Sequence, residues 1–365
     1  MLFRKQLVSL SSGCLLLALY STDVSAASAG DYSSHATQAA DVMNKNWYNE
    51  STGLWENMWW NSANVLTVLG DLALVNQQYA DAAEKIFNNT LQKAPGKAAG
   101  AKGFLNAFYD DEGWWALAFI KGYDFTKDPR YLSQAETIFD DMTTGWNATC
   151  GGHWWNKPGD AQNPQANTAI GNSLFLSAAA SLANRVPSKK SEYLGWAQKE
   201  WEWFSGSGLI NSDNLINDGI DLKTCKNNGA TTFTYNQGVI LGGLVELNMA
   251  APDPSYLPTA SKIAHATIAK LVDDDGILTE PNEKQPMDPT SAQFKGVFAR
   301  NLHYLQEHAP DDAYVTFLQK NADAIWAKDQ NDGELGTAWQ GPYYDAEPAG
   351  QSSALDCLVA AAAVS

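Results

Sequence analysis

The chain has 365 residues, of which 45% are hydrophobic and 11% aromatic, so it can form one large domain or two ordinary ones with a sizeable core. Its formal net charge of -17 argues against nucleic acids and anionic membranes as partners, because both are bound through basic patches. The same charge is compatible with a neutral or cationic substrate.

The N-terminus has the pattern of a secretory signal sequence. Arg4 and Lys5 form a charged segment, residues 7–19 are mostly apolar, and residues 24–26 (Val-Ser-Ala) give a small-residue cleavage site. The apolar segment is short for a membrane span, which favours cleavage over an uncleaved anchor. We therefore predict a signal peptide at residues 1–26 and a secreted, extracellular protein.

Three N-glycosylation sequons agree with secretion, although such sequons also occur by chance. They begin at Asn49, Asn88 and Asn147. We predict glycosylation at these positions.

Four cysteines are present, and Cys14 lies within the predicted signal peptide. An oxidising compartment allows one disulfide among the other three. Cys150 and Cys225 lie in Gly- and Asn-rich, loop-like sequence, whereas Cys357 lies in an apolar helical run. We therefore predict a disulfide between Cys150 and Cys225 and a buried Cys357. The cysteines and the five histidines show no metal-binding spacing.

After the signal peptide, the sequence alternates between two kinds of predicted helix. Amphipathic helices are predicted at 32–49, 79–91, 130–144, 192–205, 256–271 and 311–326. Between them lie nearly all-apolar helices, rich in Gly, Ala, Ser and Asn, which begin near Asn64, Asp111, Gly171, Asn236, Ala299 and Ser353. Helices that are apolar all round are buried, and amphipathic ones face solvent. Six buried helices surrounded by six outer ones predict an all-α fold, an (α/α)6 barrel that forms a single domain over residues 27–365.

The longer predicted connections, at 145–166, 206–233, 273–290 and 329–350, are rich in Trp, Asp, Asn and Gly. If the buried helices all run in the same direction, alternate connections gather at one end of the barrel. Functional residues concentrate in such loops, so we expect the site at that end. Asp273-Asp274-Asp275-Gly276, within one of them, lacks a full calcium-loop pattern and is interpreted as a solvated turn.

The segment Tyr109-Asp110-Asp111-Glu112-Gly113-Trp114-Trp115 is the main functional signal. Acidic residues are common at helix starts, where they cap free N–H groups and complement the helix dipole. Here, however, paired carboxyl groups stand beside aromatic residues. Glycosidases use two carboxyl groups, and the apolar face of a sugar stacks on aromatic rings. We therefore predict that this segment is the catalytic centre of a sugar-cleaving enzyme.

Four further segments accompany this motif: Gly151-Gly152-His153-Trp154-Trp155, Asn167-Thr168-Ala169-Ile170-Gly171-Asn172, Leu215-Ile216-Asn217-Asp218-Gly219-Ile220-Asp221 and Thr234-Tyr235-Asn236-Gln237-Gly238. Together with Asp-Asp-Glu-Gly-Trp-Trp they resemble glycoside hydrolase family 76 over nearly the whole mature chain. The resemblance implies an (α/α)6 barrel and retaining endo-α-1,6-mannanase activity, with Asp110 as nucleophile and Asp111 as acid/base. It also implies α-1,6-linked mannan or mannooligosaccharides as substrate. We expect no cofactor, no metal ion and a monomeric enzyme.

Some fungal members of family 76 are membrane-anchored wall proteins that are thought to transfer glycan-linked proteins onto cell-wall polymers. Residues 358–365 continue the last apolar helix without the polar spacer of a lipid-anchor signal, so no stable membrane anchor is expected. A secreted hydrolase is therefore favoured. The alternatives are a cell-wall transglycosylase that uses the same covalent intermediate, and a non-catalytic mannan-binding protein.

The candidates for substrate binding share an aromatic, amide or charged side chain near the start of a buried helix or in a long connection. They are Trp60, Asn64, Glu112, Trp114, Trp155, Asn172, Asp218, Asp221, Tyr235, Asn236, Lys295 and Arg300. The tryptophans belong to the core or stack on sugars, and we expect two of the three to stack. The amides and the tyrosine cap helices or contact sugar hydroxyls. The two aspartates form a turn or accept hydrogen bonds from sugar hydroxyls.

Three charged candidates have further alternatives. Glu112 could replace one member of the catalytic pair. Lys295 and Arg300 lie in an otherwise apolar helix, where an unpaired charge is costly, so each needs an acidic partner or lines the cleft. His153 is expected to be a hydrogen-bonded structural residue rather than a catalyst.

Overall fold

The computed structural model describes residues 28–159, 163–281 and 283–365. The predicted signal peptide lies outside these ranges. Within them the helices are α1 (Ala29–Trp47), α2 (Trp59–Val75), α3 (Ala80–Lys93), α4 (Tyr109–Thr126), α5 (Pro129–Met142), α6 (Ala169–Arg185), α7 (Lys190–Gly206), α8 (Thr234–Ala250), α9 (Tyr256–Lys270), α10 (Pro289–Ala292), α11 (Phe294–His308), α12 (Asp312–Lys328) and α13 (Pro348–Ala363). Short antiparallel hairpins pair β1 (Tyr48–Asn49) with β2 (Leu54–Trp55), β3 (Ile220–Asp221) with β4 (Lys226–Asn227), and β5 (Gln330–Asn331) with β6 (Glu334–Leu335).

Six helices form a closed inner ring, in which contacts run from α2 to α4, α6, α8, α11 and α13 and back to α2. Their residues are mostly buried because their sequences are largely apolar around the whole circumference. Glycine sets how closely some of these helices approach. A Cβ on Gly238 in α8 would lie 2.7 Å from the Cα of Phe298 in α11, and a Cβ on Gly296 would lie 2.5 Å from the Cα of Ser353 in α13.

Six further helices cover this ring. α1 and α12 pack on α13, α3 on α2, α5 on α4, α7 on α6 and α9 on α8. The predicted (α/α)6 barrel is therefore confirmed. Three predicted helix starts are five residues late: α2 begins at Trp59 rather than near Asn64, α11 at Phe294 rather than near Ala299, and α13 at Pro348 rather than near Ser353. In α11, Lys295 is buried with an ion-pair partner and does not interrupt the helix.

Connections from outer to inner helices are long, and connections from inner to outer helices are short. The long ones are 48–58, 94–108, 143–168, 207–233, 271–293 and 329–347, and the short ones are 76–79, 127–128, 186–189, 251–255 and 309–311. Because the chain alternates between the two layers, the inner helices all run in one direction. Their N-termini and the long connections meet at one end, as predicted. We call this the N-terminal end of the ring and the other the C-terminal end.

The predicted disulfide between Cys150 and Cys225 joins two of the long connections. Cys357 is a buried free thiol, also as predicted. The solvated turn lies in another long connection and is closed by a hydrogen bond from the N–H of Gly276 to the carbonyl of Asp273 (2.9 Å). Over the described ranges, no helix combines the length and the apolar character needed to span a bilayer.

Candidate active site

Asp110 and Asp111 lie in the first turn of α4, at the N-terminal end of the ring. Asp110 Oδ2 accepts a hydrogen bond from Nε1 of Trp155 (2.6 Å), and its Oδ1 accepts one from the backbone N–H of Asp111 (3.0 Å). Asp111 Oδ2 accepts a hydrogen bond from the side-chain amide of Asn106 (2.6 Å). Both aspartates are half-buried. The structure therefore gives the two adjacent carboxyl groups different side-chain donors.

Two segments pair just before α4 and explain this arrangement. The N–H of Tyr109 donates to the carbonyl of Trp155, and the N–H of Lys157 donates to the carbonyl of Ala107, both at 2.9 Å. This pairing carries the indole of Trp155 to the start of α4, where its N–H reaches Asp110. The predicted sugar platform is thus also a hydrogen-bond donor to a catalytic candidate.

The two carboxyl groups have different proton affinities. Burial raises the pKa of Asp110 to about 6, although the hydrogen bonds from Trp155 and Asp111 oppose this rise. Burial also raises the pKa of Asp111 well above its usual range, and the negative charge of Asp110 raises it further. Because a second ionisation beside a first is unfavourable, Asp110 ionises first and Asp111 keeps its proton. Near neutral pH, one ionised and one protonated carboxyl group therefore stand side by side.

Glu112 is fully buried. Its Oε1 accepts a hydrogen bond from the backbone N–H of Asn106 (3.0 Å) and pairs with Nζ of Lys157 (2.6 Å). The same ammonium group pairs with Asp141 (2.6 Å). Burial raises the pKa of Glu112 to about 8, and Lys157 opposes this rise. Since a fully buried carboxyl group cannot reach a substrate, the geometry supports neither the predicted sugar contact of Glu112 nor its use in place of a catalytic aspartate.

A third carboxyl group comes from the connection before α8. Asp218 accepts a hydrogen bond from the side-chain amide of Asn236 (3.1 Å), and burial raises the pKa of Asp218. Its charge in turn raises the pKa of Asp110, so the two groups are neighbours. The ring of Tyr235 stacks on Phe294 at 3.8 Å, and burial and the charges of Asp218 and Asp110 raise the pKa of its phenol. The start of α8 and the connection before it therefore converge on the catalytic candidates.

Asp221 is only three residues further along but is not part of this group. It is exposed in the hairpin of β3 and β4, where its Oδ1 accepts hydrogen bonds from the N–H groups of Thr224 (2.9 Å) and Lys223 (2.8 Å). These bonds lower the pKa of Asp221. The turn interpretation therefore fits Asp221, and its predicted sugar contact is not supported.

One turn further into α4, aromatic and charged side chains meet in the barrel interior. The guanidinium of Arg300 pairs with Asp356 (2.9 Å) and donates to Oδ1 of Asn64. It lies 5.8 Å from the ring of Trp114, which stacks on Trp60 at 6.0 Å. Trp114 is buried and Trp60 is half-buried, so Trp60 offers the more exposed ring.

Lys295, like Arg300, has an acidic partner. Its buried ammonium group pairs with Glu283 (2.8 Å) and donates to the carbonyl of Thr337 (2.7 Å). This agrees with the expectation that each charge in α11 needs a carboxylate. Both cations therefore have structural partners whether or not a substrate is bound.

The amide candidates are not helix caps. The N-cap residues of α2, α6 and α8 are Met58, Thr168 and Phe233. Asn172 is fully buried, and its Oδ1 accepts a hydrogen bond from the N–H of His153 (2.7 Å). Because of this burial, the predicted sugar contact of Asn172 is not supported. His153 is also fully buried, and burial lowers the pKa of its imidazole to about 4, which fits its expected structural role.

Two polar residues beside the pair, Asn106 and Lys157, are absent from the sequence-based candidates. Asn106 has a weak local signal, because its Oδ1 accepts a hydrogen bond from the N–H of Phe108 (2.9 Å) and asparagine favours such turns. Lys157 has no local signal. Its position depends on the pairing of its loop with residues 107–109.

A cavity of about 530 Å3 lies at the C-terminal end of the ring. Charged residues line it as matched pairs. Lys121 pairs with Asp71 at 2.6 Å, and Arg185 pairs with both Asp124 (2.7 Å) and Glu246 (2.9 Å). None of the sequence-based catalytic candidates lines this cavity.

A sequence model of Glycosyl hydrolase family 76 matches residues 28–364. The chain belongs to this family. A curated relative, mannan endo-1,6-alpha-mannosidase DCW1 of Saccharomyces cerevisiae, is 28% identical over 242 residues. The alignment covers 60% of this chain and 51% of that protein, so the chain spans about half the length of this relative.

Solved structures share the family 76 barrel. The Lin0763 protein of Listeria innocua has a TM-score of 0.78 and 26% identity, and the match covers 91% of this chain and 97% of that one. A second structure is an inactive variant of the alpha-1,6-mannanase GH76A of Salegentibacter sp. HEL1_6 in complex with alpha-1,6-mannotetrose. Two consecutive aspartates are replaced by alanine in that variant. It has a TM-score of 0.77 and 22% identity, and the match covers 92% of this chain and 100% of that one.

Proposed function

We propose that the protein is a retaining endo-α-1,6-mannanase that hydrolyses the backbone of α-mannan, with Asp110 as nucleophile and Asp111 as acid/base. Membership of family 76 and the activity named for the yeast relative support this proposal. The observation that carries it is the adjacent pair at the start of α4, in which Asp110 ionises and Asp111 keeps its proton. Retaining glycosidases need this division between two carboxyl groups.

In the first step, the carboxylate of Asp110 attacks the anomeric carbon C1 of a mannose unit. Asp111 donates its proton to the glycosidic oxygen as the C1–O bond breaks, so the departing mannan leaves with a hydroxyl group. The product is a mannosyl ester of Asp110. The hydrogen bond from Trp155 orients the attacking carboxylate and favours its ionised form.

In the second step, Asp111 removes a proton from water, and the resulting hydroxide oxygen attacks C1. The ester bond breaks, which releases mannan with the original configuration and restores the carboxylate of Asp110. Esterification also removes the negative charge that raises the pKa of Asp111 in the free enzyme. The pKa of Asp111 is therefore lower in the intermediate, so Asp111 stays ionised after it has given up its proton. As a carboxylate it can then accept a proton from water.

We propose that Asp218 and Tyr235 contact the mannose unit next to the scissile bond, since they lie near Asp110. Asn236 is fully buried and would orient Asp218 through its hydrogen bond. The partly exposed ring of Trp60 is suited to stack on the apolar face of a neighbouring sugar. Trp114, Asn64 and Arg300 would support this surface from inside the barrel.

We also propose that the protein is secreted. Two of the three sequons, Asn49 and Asn147, are exposed and accessible to glycosylation. Asn88 is half-buried in α3 and accepts a hydrogen bond from Arg130 (2.7 Å), so it is the least accessible of the three. The signal peptide at residues 1–26 and a monomeric state stay predictions.

Incubation of the purified protein with linear α-1,6-mannan tests the proposed activity. The products of wild type, Asp110→Asn and Asp111→Asn are sized over time, and the configuration of the first-formed reducing ends is measured by NMR. Asp221→Asn is the matched control, since Asp221 is exposed and lies outside the group around Asp110. We expect short α-configured mannooligosaccharides from wild type and from the control only.

Three other outcomes would redirect the proposal. Near wild-type turnover by both variants of the pair would reject the catalytic assignment. Products longer than the substrate would indicate transglycosylation through the same intermediate. Unchanged mannan in every sample would favour a binding protein or a different glycan.

A further inference from the structure

Glu112 is linked to both catalytic aspartates by separate sets of contacts. We propose that it is a positioning residue for the pair. It acts on Asp111 through Asn106, and it acts on Asp110 through the loop that carries Trp155. This inference rests on the proposed roles of the two aspartates.

The first link runs through Asn106. Oε1 of Glu112 accepts a hydrogen bond from the backbone N–H of Asn106 (3.0 Å). The side-chain amide of Asn106 then donates to Asp111 Oδ2 (2.6 Å), and its carbonyl oxygen accepts a hydrogen bond from the N–H of Phe108 (2.9 Å). Backbone and side chain of Asn106 are therefore both fixed, which aims its amide at the acid/base carboxyl group.

The second link runs through Lys157. Its Nζ pairs with Glu112 (2.6 Å), and its backbone N–H donates to the carbonyl of Ala107 (2.9 Å). Lys157 follows Trp155 by two residues, so these contacts anchor the segment that brings the indole N–H to Asp110 (2.6 Å). Loss of the carboxylate at position 112 would leave this side chain held by Asp141 alone and so loosen the segment.

The surroundings of Glu112 make this geometry rigid. Its carboxyl group is fully buried, and the ammonium group of Lys157 lies between it and Asp141 (2.6 Å). The same ammonium group is 5.1 Å from the centre of the Tyr109 ring. Removal of the Glu112 carboxylate leaves Lys157 paired with Asp141 alone, so the ammonium group loses its contact on the buried side. A displacement of about 1 Å near reacting groups reduces turnover by about 100-fold.

Glu112→Gln tests the proposal, because glutamine keeps the size of the side chain but cannot ionise and so cannot form the ion pair with Lys157. Turnover is compared on α-1,6-mannotetraose and on a dinitrophenyl glycoside of α-1,6-mannobiose. Dinitrophenolate leaves without protonation, so the second substrate does not need an aligned acid. We expect kcat/KM for mannotetraose, which reports the first step, to fall about 10–100-fold, and kcat/KM for the aryl glycoside to fall less.

The link to Asp110 has its own readout in the pH profile of kcat/KM. The Trp155 hydrogen bond favours the ionised carboxylate, so a loosened Trp155 raises the pH at which Asp110 ionises. Glu112→Gln and Trp155→Phe should therefore move the acidic limb of the profile in the same direction, to higher pH. A purely structural role of Glu112 would not move it.

Glu200→Gln is the matched control. Glu200 is a fully buried glutamate in α7 and, within the described part of the chain, its carboxylate oxygens have no hydrogen-bond partner. It lies outside the proposed catalytic machinery, so kcat and the pH profile should stay unchanged. If Glu112→Gln does not fold, Lys157→Met breaks the same ion pair from its half-exposed side. The two substrates and the pH profile of kcat/KM are then compared for that variant.

Asp111→Asn separates failure of this inference from failure of the proposed function. If Asp111→Asn loses equal activity on both substrates, the acid/base assignment fails. If Asp111→Asn shows the leaving-group dependence but Glu112→Gln does not, the positioning role of Glu112 is overturned. An unchanged kcat/KM for Glu112→Gln on mannotetraose, or equal losses on both substrates with an unmoved pH profile, would also overturn it.

Discussion

The two ends of the helix ring use charged residues in opposite ways. At the N-terminal end, Asp110, Asp111 and Asp218 lie close together, and burial raises the pKa of each. At the C-terminal end, Lys121 and Arg185 contact carboxylates at 2.6–2.9 Å. The ion pairs at the C-terminal end stabilise the fold, whereas the crowded acids at the N-terminal end are suited to catalysis. The two tasks are therefore carried out at different ends of the ring.

The common direction of the inner helices explains where each group lies. Six helix N-termini, with partial positive charge, meet at one end, and this favours ionised carboxylates there. The six C-termini carry partial negative charge, which favours cations such as Lys121 and Arg185 at the other end. The polarity of the ring therefore favours ionised acids at the N-terminal end and the cationic members of the ion pairs at the C-terminal end.

Asp111→Asn gives the largest expected effect on turnover. We expect kcat to fall about 10²–10⁴-fold, the usual contribution of a general acid. Stability should not fall, because burial and the charge of Asp110 raise the pKa of Asp111, and asparagine has nearly the same shape without the costly charge. Initial rates on α-1,6-mannan and urea unfolding check the two parts. If Asp111→Asn also lowered the free energy of unfolding, the N-terminal end would stabilise the fold as well, and the contrast between the two ends would not hold.

Arg185→Met should do the reverse at the C-terminal end. It leaves Asp124 and Glu246 without their cation, so the free energy of unfolding should fall by about 3–5 kcal/mol. The kcat of the folded fraction should stay the same. Urea unfolding followed by tryptophan fluorescence measures the loss, and Lys189→Met, which breaks a more exposed pair with Glu136, is the control with a smaller effect. If Arg185→Met lost turnover but kept its stability, the C-terminal end would serve catalysis, which contradicts the proposed separation of the two ends.

Asp218→Asn and Asp221→Asn sharpen the boundary of the catalytic end. A hydrogen bond that a carboxylate accepts from a sugar hydroxyl is worth about 1.5–3 kcal/mol, so Asp218→Asn should lower kcat/KM roughly 10–150-fold. Asp221→Asn should change kcat/KM less than about twofold, because an exposed turn residue seldom matters for binding. Steady-state kinetics on mannotetraose compares them. If Asp218→Asn and Asp221→Asn lowered kcat/KM by similar factors, the β3–β4 hairpin would belong to the substrate cleft.

Asp110→Asn should change how stability depends on pH. The pKa of Asp110 is raised from 3.8 to about 6, so the folded state binds this proton more tightly than the unfolded state. The contribution of Asp110 to stability therefore falls as pH rises through this interval. The variant lacks this titration, and it should exceed wild type by about 1–2 kcal/mol at neutral pH and by little below the lower pKa. Urea unfolding of the variant and of wild type at neutral pH and below pH 3.8 measures the difference in stability between the two proteins. The same difference at both pH values would contradict the raised pKa of Asp110.

Much of the fold and the catalytic pair follows from local sequence. Apolar and amphipathic helices alternate, and this pattern alone determines which layer each helix joins. Asp110 and Asp111 are neighbours in the chain, so no distant contact is needed to bring them together. The cysteine pairing also follows from local context, since Cys357 is the one cysteine after the predicted signal peptide that lies in an apolar run.

The rest of the site depends on contacts between distant segments. Asp218 and Asp221 are three residues apart in one loop-like segment, yet Asp218 is half-buried beside Asn236 and Asp221 is exposed in the β3–β4 hairpin. Glu112 is adjacent to the pair in sequence, yet its partner Lys157 is 45 residues away. Such pairings are set by tertiary packing, which residue type and spacing do not encode.

Ring closure has a consequence for how the chain folds during synthesis. The Asn64–Arg300 hydrogen bond spans 236 positions, and the one from Gln351 to the carbonyl of Ala39 spans 312. Such separations carry a high entropic cost of loop closure and slow folding. Until α13 leaves the ribosome, α2 and α11 lack their common neighbour and expose apolar flanks. The nascent chain therefore stays aggregation-prone until its last helix is made, and its folding depends on protection during that interval.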